Sequence, residues 1–198
     1  MKKTVYVIRG IPGSGKSSWV KKNFSCQLPD SIVCSTDDYF MQSTGVFDSG
    51  EPFLEYKFDI GKLPLAHNWC FQNFLAAIEM ETQVVVVDNT NIRLWEFQNY
   101  VGVAKMMKYD VKVVEVRIPG SSMALACCRR CSHGVPLAKI AEMEAAFEPY
   151  DGASIVPPQF SLADMKTYVH DLERLFPWRK FTEEEVYGWF PKETRADG

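Results

Sequence analysis

The sequence predicts an α/β protein in which a parallel β-sheet carries helices on both of its faces. Short apolar runs rich in β-branched residues alternate along the chain with longer segments that have helical periodicity. A glycine and two aspartates follow three of these runs, at Gly10, Asp37 and Asp88. Because ligands bind outside the carboxyl ends of the strands in such sheets, we expect these three residues to converge on one edge.

Four runs are predicted to be buried parallel strands, because strands that are covered on both faces are almost continuously apolar. The first run ends at Gly10, the second leads into Thr36 and Asp37, and the third consists of four valines before Asp88. In chain order the predicted strands are residues 4–8, 31–35, 84–87 and 111–116.

Helices are predicted between these strands from the spacing of apolar residues. In residues 63–80, for example, Ala66, Cys70 and Phe74 share one helical face, and Trp69 is expected to lie in the core, as is Trp95 in the next helix. A loop is predicted for residues 42–61, which contain glycine, proline and several aromatic residues. The predicted helices are residues 15–24, 63–80, 93–109, 121–131 and 136–147.

The apolar pattern weakens after Pro149. Residues 150–161 contain two consecutive prolines and are predicted to be a linker, followed by one helix at residues 162–176 and an acidic tail at residues 182–198. A chain of 198 residues suits one domain with an extension. We therefore predict a domain at residues 1–150 and a C-terminal extension at residues 151–198.

The composition is that of an ordinary globular protein, with 46% apolar and 24% charged residues. It excludes a disordered, a collagen-like and a disulfide-scaffold protein. The 22 basic and 25 acidic residues argue against a strong, indiscriminate duplex binder, which normally carries a basic surplus. A local basic groove is compatible with this balance.

Nothing in the sequence resembles a signal peptide or a membrane span. Only four apolar residues, 5–8, precede Arg9, whereas a signal peptide needs roughly 7–15 and a membrane span about 20. We therefore expect a cytoplasmic or nuclear protein without a membrane partner. The sequence indicates no particular oligomeric state.

The six cysteines are expected to be reduced inside a cell. Cys128 and Cys131 have the spacing of a zinc-binding pair, but a structural zinc ion is bound by four ligands, and no second pair lies nearby in the sequence. Cys127 and His133 would be needed to complete a set. We expect unpaired helical cysteines and no structural zinc.

Residues 10–17 fit the pattern GxxxxGK[ST], and they lie between a predicted strand and a predicted helix, as this phosphate-binding loop requires. The backbone N–H groups of Gly13, Ser14 and Gly15 are expected to surround phosphate oxygens at the helix N-terminus. Lys16 would reach the β- and γ-phosphates, and the Ser17 hydroxyl would ligate Mg²⁺. The motif therefore predicts ATP and Mg²⁺ as cofactors.

Carboxylates follow two of the predicted strands. Asp88 can hold Mg²⁺ or its water shell, although an Asx turn or a helix cap is the alternative. Asp37 can accept the proton of an attacking hydroxyl group, and Asp38 is expected to make local hydrogen bonds that cap the next turn.

Arg129 and Arg130 end a predicted helix and have two interpretations. A mobile arginine that closes over the γ-phosphate would stabilise the transition state, whereas solvated arginines at a helix C-terminus would only complement its dipole. His133 in the next loop is expected to be a surface residue. Aromatic residues near the acceptor side could stack on nucleobases or pack the long loop onto the domain; they are Phe40, Phe47, Phe53, Tyr56 and Phe58.

Five motifs recur in order over residues 1–150 and resemble the polynucleotide-kinase-like (zeta-toxin and polynucleotide kinase) branch of P-loop kinases, in its stand-alone form. The resemblance implies a nucleoside-monophosphate-kinase-like fold with a helical lid. It also implies transfer of the ATP γ-phosphate to the 5′-hydroxyl of RNA or DNA. The motifs are residues 9–17, 35–39, 66–67, 87–91 and 133–136.

By this resemblance Asp37 matches the general base and Arg130 the lid arginine, which also binds the nucleotide. Lys16 and Ser17 match the phosphate and magnesium residues. The resemblance assigns the acceptor side to Asp38, Phe40, Thr90 and Asn91.

Two features depart from the family pattern. The family prototype has an arginine for the 3′-side phosphate of the acceptor where this chain has Phe40, and no phosphatase or phosphodiesterase motif follows the kinase motifs. The sequence therefore predicts the kinase step alone. A small-molecule kinase and an ATP-binding interaction module without transfer activity remain the alternatives.

Overall fold

A computed structural model of the protein describes residues 2–25, 30–46, 52–117, 122–158, 160, 162–175 and 177–181. Phe47, the side chain of Phe53 and the predicted tail at 182–198 lie outside these residues. Within the described part, no helix combines the length and the apolar character needed to cross a membrane.

The central sheet is parallel and has five strands, which confirms the predicted fold class. The strand order is β2-β5-β1-β6-β7, and β1 lies in the centre, with Val5 paired to Val85 on one side and to Val111 on the other. A separate antiparallel hairpin consists of β3 and β4. The strands are β1 (Thr4–Arg9), β2 (Ser31–Cys34), β3 (Met41–Val46), β4 (Pro52–Tyr56), β5 (Val84–Asp88), β6 (Asp110–Val116) and β7 (Ser154–Val156).

Helices cover both faces of the sheet, because successive strand residues point to opposite sides. Val5 and Val85 pack with Cys70 and Phe97 on one face, and Ile8 and Val86 pack with Val20 on the other. The helices are α1 (Lys16–Val20), which continues as a π-helical turn (Lys21–Ser25), α2 (Leu63–Glu79), α3 (Leu94–Met106), α4 (Ala124–Arg130), α5 (Leu137–Ala145) and α6 (Leu162–Leu175).

A third apolar cluster joins the last three helices to the loop after β1. Cys127 of α4, Ile140 of α5 and Leu172 of α6 are buried together with Ile11 and Phe160. The C-terminal helix is therefore packed onto the helices that face the phosphate-binding loop.

Two loop predictions are wrong. Residues 42–61 contain most of the β3–β4 hairpin, in which Met41 pairs with Tyr56. The register of this hairpin is irregular between Ser43 and Gly45. This irregularity interrupts the alternation from which a strand would be recognised. The predicted linker at 150–161 contains β7, which pairs with β6 and ends before Pro157, because proline cannot donate to a strand ladder. The domain boundary at residue 150 stays a prediction, but one strand beyond it completes the sheet.

The two tryptophans that were expected in the core are exposed, Trp69 by 37% and Trp95 by 67%. The buried face of α2 carries Ala66, Cys70 and Phe74. Trp69 lies about 100° away from Cys70 around the helix and so points outward.

Candidate active site

The phosphate-binding loop connects β1 to α1 and depends on two left-handed glycines. Gly13 has φ 78° and Gly15 has φ 90°. A Cβ atom at Gly13 would lie 1.9 Å from the carbonyl oxygen of Cys127 in α4, so only glycine fits there. The loop is therefore packed directly against the helix that carries the two candidate lid arginines.

Lys16 lies in this loop, and its Nζ donates to the carbonyl oxygen of Ile11 at 3.1 Å. Burial lowers the pKa of the Lys16 ammonium, because the loss of hydration outweighs the attraction of Asp88 and Asp37. A phosphate group at this position would supply the missing counter-charge.

Asp88 ends β5 and is 7% exposed. It accepts a hydrogen bond from the Ser17 hydroxyl, while its Oδ1 has no hydrogen-bond partner among the described residues. Burial raises the pKa of Asp88 despite the nearby charge of Lys16. A buried carboxylate oxygen beside a hydroxyl group is the kind of oxygen site that Mg²⁺ takes, so these residues fit a divalent cation.

Asp37 begins a 3₁₀ turn after β2, and its side chain is 52% exposed. The Tyr56 hydroxyl of β4 donates to Asp37 Oδ1 at 3.1 Å. His133, in the loop between α4 and α5, has its Nδ1 3.8 Å from Asp37 Oδ2. The His133 ring also stacks on the Tyr56 ring, with centroids 4.2 Å apart.

The hairpin and the α4–α5 loop therefore meet above the Asp37 carboxylate. Burial and the negative charge of Asp37 raise the pKa of Tyr56, so its hydroxyl stays a donor. This contact is not evident from the sequence, which indicated a surface loop position for His133 and a stacking candidate in Tyr56. The only signal for His133 was its place in one of the family motifs.

Asp38 has a local role and an electrostatic one. It accepts a backbone hydrogen bond from Ser35, which precedes it in the chain, whereas a cap of the following turn was expected. Burial and the charges of Asp37 and Asp88 raise its pKa. The three carboxylates thus influence one another at one edge of the sheet.

The loop after β5 corrects one predicted acceptor residue. Asn91 is 3% exposed, and its Nδ2 donates to the carbonyl oxygen of Ile8 at 2.8 Å. Its amide group is therefore used inside the protein and does not face an acceptor. Thr90 is half-buried, and its carbonyl oxygen accepts from the Gly10 N–H at 2.9 Å, which joins this loop to the phosphate-binding loop.

Arg9 holds the same loop through hydrogen bonds to its backbone. It is the first residue of the first family motif, but the sequence predicted no role for it. It is fully buried, pairs with Glu115 of β6 and donates to the carbonyl oxygens of Asn91 and Ile92 at 2.7 and 3.0 Å. Its guanidinium group lies over the Phe97 ring at 4.5 Å. The buried charge is thus compensated by an ion pair and backbone hydrogen bonds, as a buried arginine requires.

The two arginines of α4 point to different partners. Arg130 Nη1 donates to the carbonyl oxygen of Gly13 at 3.4 Å, and its Nε lies 3.3 Å from Asp164 Oδ2. Arg129 Nε lies 2.6 Å from Asp171 Oδ2 in α6. Arg130 is therefore the arginine that reaches the phosphate-binding loop.

Phe40 does not have the position expected of an acceptor contact. It is 1% exposed and packs against Tyr39, Tyr56 and Phe58, with ring centroids 5.1–6.1 Å apart. Of the two roles that the sequence left open for these aromatic residues, stacking on a base or packing of the loop, the burial of Phe40 therefore fits packing. Phe58, which is 53% exposed, is the member of this cluster that has an open surface.

A cavity of about 480 Å³ adjoins the phosphate-binding loop. It shares Ile11 and Ser14 with that loop, and the buried Ser14 hydroxyl has no hydrogen-bond partner in the described part of the chain. Its volume is within the range of small-molecule sites. Other residues that line it include Val116, Arg117, Phe147, Pro149 and Pro158.

Comparison with known proteins relates the fold of this chain to that of P-loop kinases. Human NEDD4-binding protein 2 is 32% identical over 161 residues, which cover 78% of this chain but only 8% of that protein. The structure of the Pnkp1/Rnl/Hen1 RNA repair complex matches 77% of this chain and 49% of the compared chain, with 16% identity and a TM-score of 0.51.

A second solved structure, the APS kinase CysC of Mycobacterium tuberculosis in complex with AMPPNP and APS, matches 87% of this chain and 98% of that one. Its identity is also 16%, and its TM-score is 0.51. At such identities the likeness concerns the fold alone, which is that of P-loop kinases. Residues 5–150 match the model of a family described as an AAA domain, and the chain therefore belongs to this family of P-loop kinase domains.

Proposed function

We propose that the protein is an ATP-dependent kinase that transfers the γ-phosphate to the 5′-hydroxyl of RNA or DNA. The observation that carries the proposal is the meeting of Lys16, Asp88, Asp37 and Arg130 at the carboxyl edge of one parallel sheet. The charges of the first three are coupled, since Asp37 and Asp88 both act on the pKa of Lys16, and Arg130 reaches the phosphate-binding loop through the Gly13 carbonyl oxygen. The likeness of the fold to an APS kinase and the order of the sequence motifs support the same reaction class.

In this reaction the acceptor oxygen forms a bond to the γ-phosphorus as the bond to the β-phosphate oxygen breaks, and ADP leaves. The acceptor's proton passes to Asp37, whose Oδ1 is already engaged by Tyr56. Lys16 and the loop amides bind the phosphates, and Arg130 stabilises negative charge on the transferred group. Ser17 and Asp88 would hold Mg²⁺, which supplies charge neutralisation on the phosphates when it is bound.

The acceptor surface also supports a second candidate, a small-molecule kinase. Phe40 is buried where the family prototype uses an arginine. Near the hairpin, Lys57 lies 3.2 Å from Glu55 and Lys62 lies 3.9 Å from Asp59. These paired lysines offer little attraction for a phosphodiester backbone, so an uncharged hydroxyl compound is a reasonable competitor as acceptor.

Transfer of labelled γ-phosphate to a panel of acceptors tests the proposal. The panel contains 5′-hydroxyl RNA and DNA oligonucleotides, nucleosides and sugars. We expect transfer to an oligonucleotide, and a fall of about 10²–10⁴-fold in Asp37→Asn, because this variant cannot take the proton. ATP affinity should be retained in that variant.

Asp38→Asn is the matched control, since it removes a neighbouring carboxylate with a local hydrogen bond, and its loss of transfer should be smaller. Transfer to nucleosides or sugars alone would favour the small-molecule kinase. ATP binding without transfer to any member of the panel would contradict both kinase readings and favour the interaction module.

A further inference from the structure

The C-terminal helix α6 begins beyond residue 150, where the family match ends, and it supplies acidic side chains to the lid helix α4. Asp164 and Asp171 are seven residues apart, which places them on one face of α6 about two turns from each other. They reach the adjacent Arg130 and Arg129, respectively. One helical face therefore contacts both candidate lid arginines.

Asp164 holds Arg130 by one edge of its guanidinium group. The Nε atom lies 3.3 Å from Asp164 Oδ2, and Nη1 donates to the Gly13 carbonyl oxygen at 3.4 Å. The Phe160 ring lies 5.2 Å from the guanidinium carbon. Because this group is planar and rigid, fixing the Nε edge and one face also fixes the direction in which the Nη atoms point.

We propose that Asp164 is a positioning residue for Arg130, so that the C-terminal extension is a working part of the kinase lid. With Nε held by Asp164, the Nη atoms are aimed at the phosphate-binding loop before a phosphate arrives. Asp164 has this role only if Arg130 meets the transferring phosphate, so the role rests on the proposed function.

The Arg129–Asp171 pair has a structural role, unlike the Arg130–Asp164 pair. The two side chains approach at two points: Nε lies 2.6 Å from Oδ2 as an ion pair, and Nη2 donates a hydrogen bond to Oδ1 at 2.9 Å. Asp171 is 5% exposed, and it directs Arg129 toward α6. This pair fastens the two helices to each other, whereas the Asp164 pair bears on the loop.

The exposure of the Asp164 pair separates positioning from stability. The Arg130 and Asp164 side chains are 21% and 31% exposed, and partly solvated ion pairs contribute little to folding free energy. Misplacing a group that must meet a transition state can instead cost about 10²-fold in rate. Removing the Asp164 charge should therefore lower kcat by a large factor, while the free energy of unfolding changes little.

Asp164→Asn tests the proposal, with Asp171→Asn as the matched control on the same helix. In Asp164→Asn we expect kcat to fall by roughly 10–100-fold with KM for ATP nearly unchanged, and Asp164→Glu to recover part of the loss. In Asp171→Asn we expect a lower melting temperature and wild-type turnover. In an Arg130→Ala background, Asp164→Asn should cause no further loss, because both changes remove the same effect.

Two readouts keep this test independent of the acceptor. The first is the slow hydrolysis of ATP by water. The second is the affinity for ADP with aluminium fluoride, which mimics the transferring phosphoryl group. Both are measured together with transfer to the oligonucleotide. Missing transfer to oligonucleotides with the Asp164–Arg130 coupling present in these readouts would defeat the proposed function only. Equal losses in Asp164→Asn and Asp171→Asn, or additive losses with Arg130→Ala, would overturn the positioning role.

Discussion

The buried carboxylate of Asp88 destabilises the folded protein when it is charged, and it is also the proposed ligand of a cation. Burial raises its pKa, so the folded protein binds the proton more tightly than the unfolded chain does. The folded state therefore gains stability as the pH falls through the folded pKa, and the penalty of the charged form is fully present above it. A buried carboxylate oxygen without a partner is kept at this cost, which is common for residues that bind a ligand.

Asp88→Asn should accordingly raise the melting temperature at neutral pH when Mg²⁺ is chelated, because the amide resembles the protonated acid. The gain over the wild type should shrink as the pH is lowered toward the range where Asp88 is protonated in both states. The same variant should lose the Mg²⁺-dependent part of its ATP affinity. Thermal melts over a pH series and ATP titrations with and without Mg²⁺ measure both effects.

Asp110→Asn is the control for this prediction, because the Asp110 side chain is 41% exposed and paired with Lys2 at 3.2 Å. Its melting temperature should change little, since surface ion pairs are worth about 0–1 kcal/mol. A melting temperature of Asp88→Asn below that of the wild type at neutral pH would show that Asp88 has a stabilising partner instead.

The residues of the site differ in how far sequence could predict them. Lys16, Asp37 and Asp88 are predictable because each stands at a fixed place after a strand, where neighbours along the chain define its position. Tyr56 contacts Asp37 across 19 residues and Asp164 reaches Arg130 from another helix, so these contacts exist only once the fold has formed.

At the scale of elements, the phosphate-binding loop and α4 must fit each other. The left-handed φ of Gly13 and the 1.9 Å approach of its would-be Cβ to Cys127 O leave no room for a side chain. Gly13→Ala should therefore push α4 away from the loop and destabilise the protein by about 1–3 kcal/mol, as overpacking does. ATP affinity should fall with it, because the loop amides move.

Gly102→Ala is the matched control in the exposed part of α3, where a Cβ would meet no atom within 4 Å. There we expect a gain of about 1 kcal/mol from helix propensity and unchanged ATP affinity. Urea unfolding and ATP titration measure both variants. A Gly13→Ala protein with wild-type ATP affinity would contradict the tight fit between loop and helix.

The elements that could not be predicted from the sequence are those whose strand character depends on pairing with another strand. The four long strands of the sheet are apolar enough to be recognised alone, and α2 has a clear buried face. By contrast, β7 has three residues, of which Ser154 and Ile155 are exposed, so only its pairing with β6 makes it a strand. The hairpin likewise depends on a partner strand, with a register irregularity between Ser43 and Gly45.

At the scale of the whole molecule, the family match ends at residue 150 but the structural unit does not. Strand β7 covers the edge of β6, where Val114, Glu115 and Val116 pair with it. An uncovered β6 would present unpaired backbone groups, which is a route to aggregation. The predicted boundary at residue 150 would therefore cut through the sheet.

A chain truncated after residue 150 should fail to fold cooperatively. It would lose the burial of Phe160, Leu172 and Phe181, which are 6–8% exposed. Burying such side chains contributes about 1.5–3 kcal/mol each, roughly 5–9 kcal/mol in total, which is comparable to the whole stability of many domains at about 5–15 kcal/mol. A chain truncated after residue 181 keeps all three and is the matched control. Urea unfolding followed by circular dichroism distinguishes them, and a cooperative transition of the shorter chain at the control's midpoint would instead support a domain that ends at residue 150.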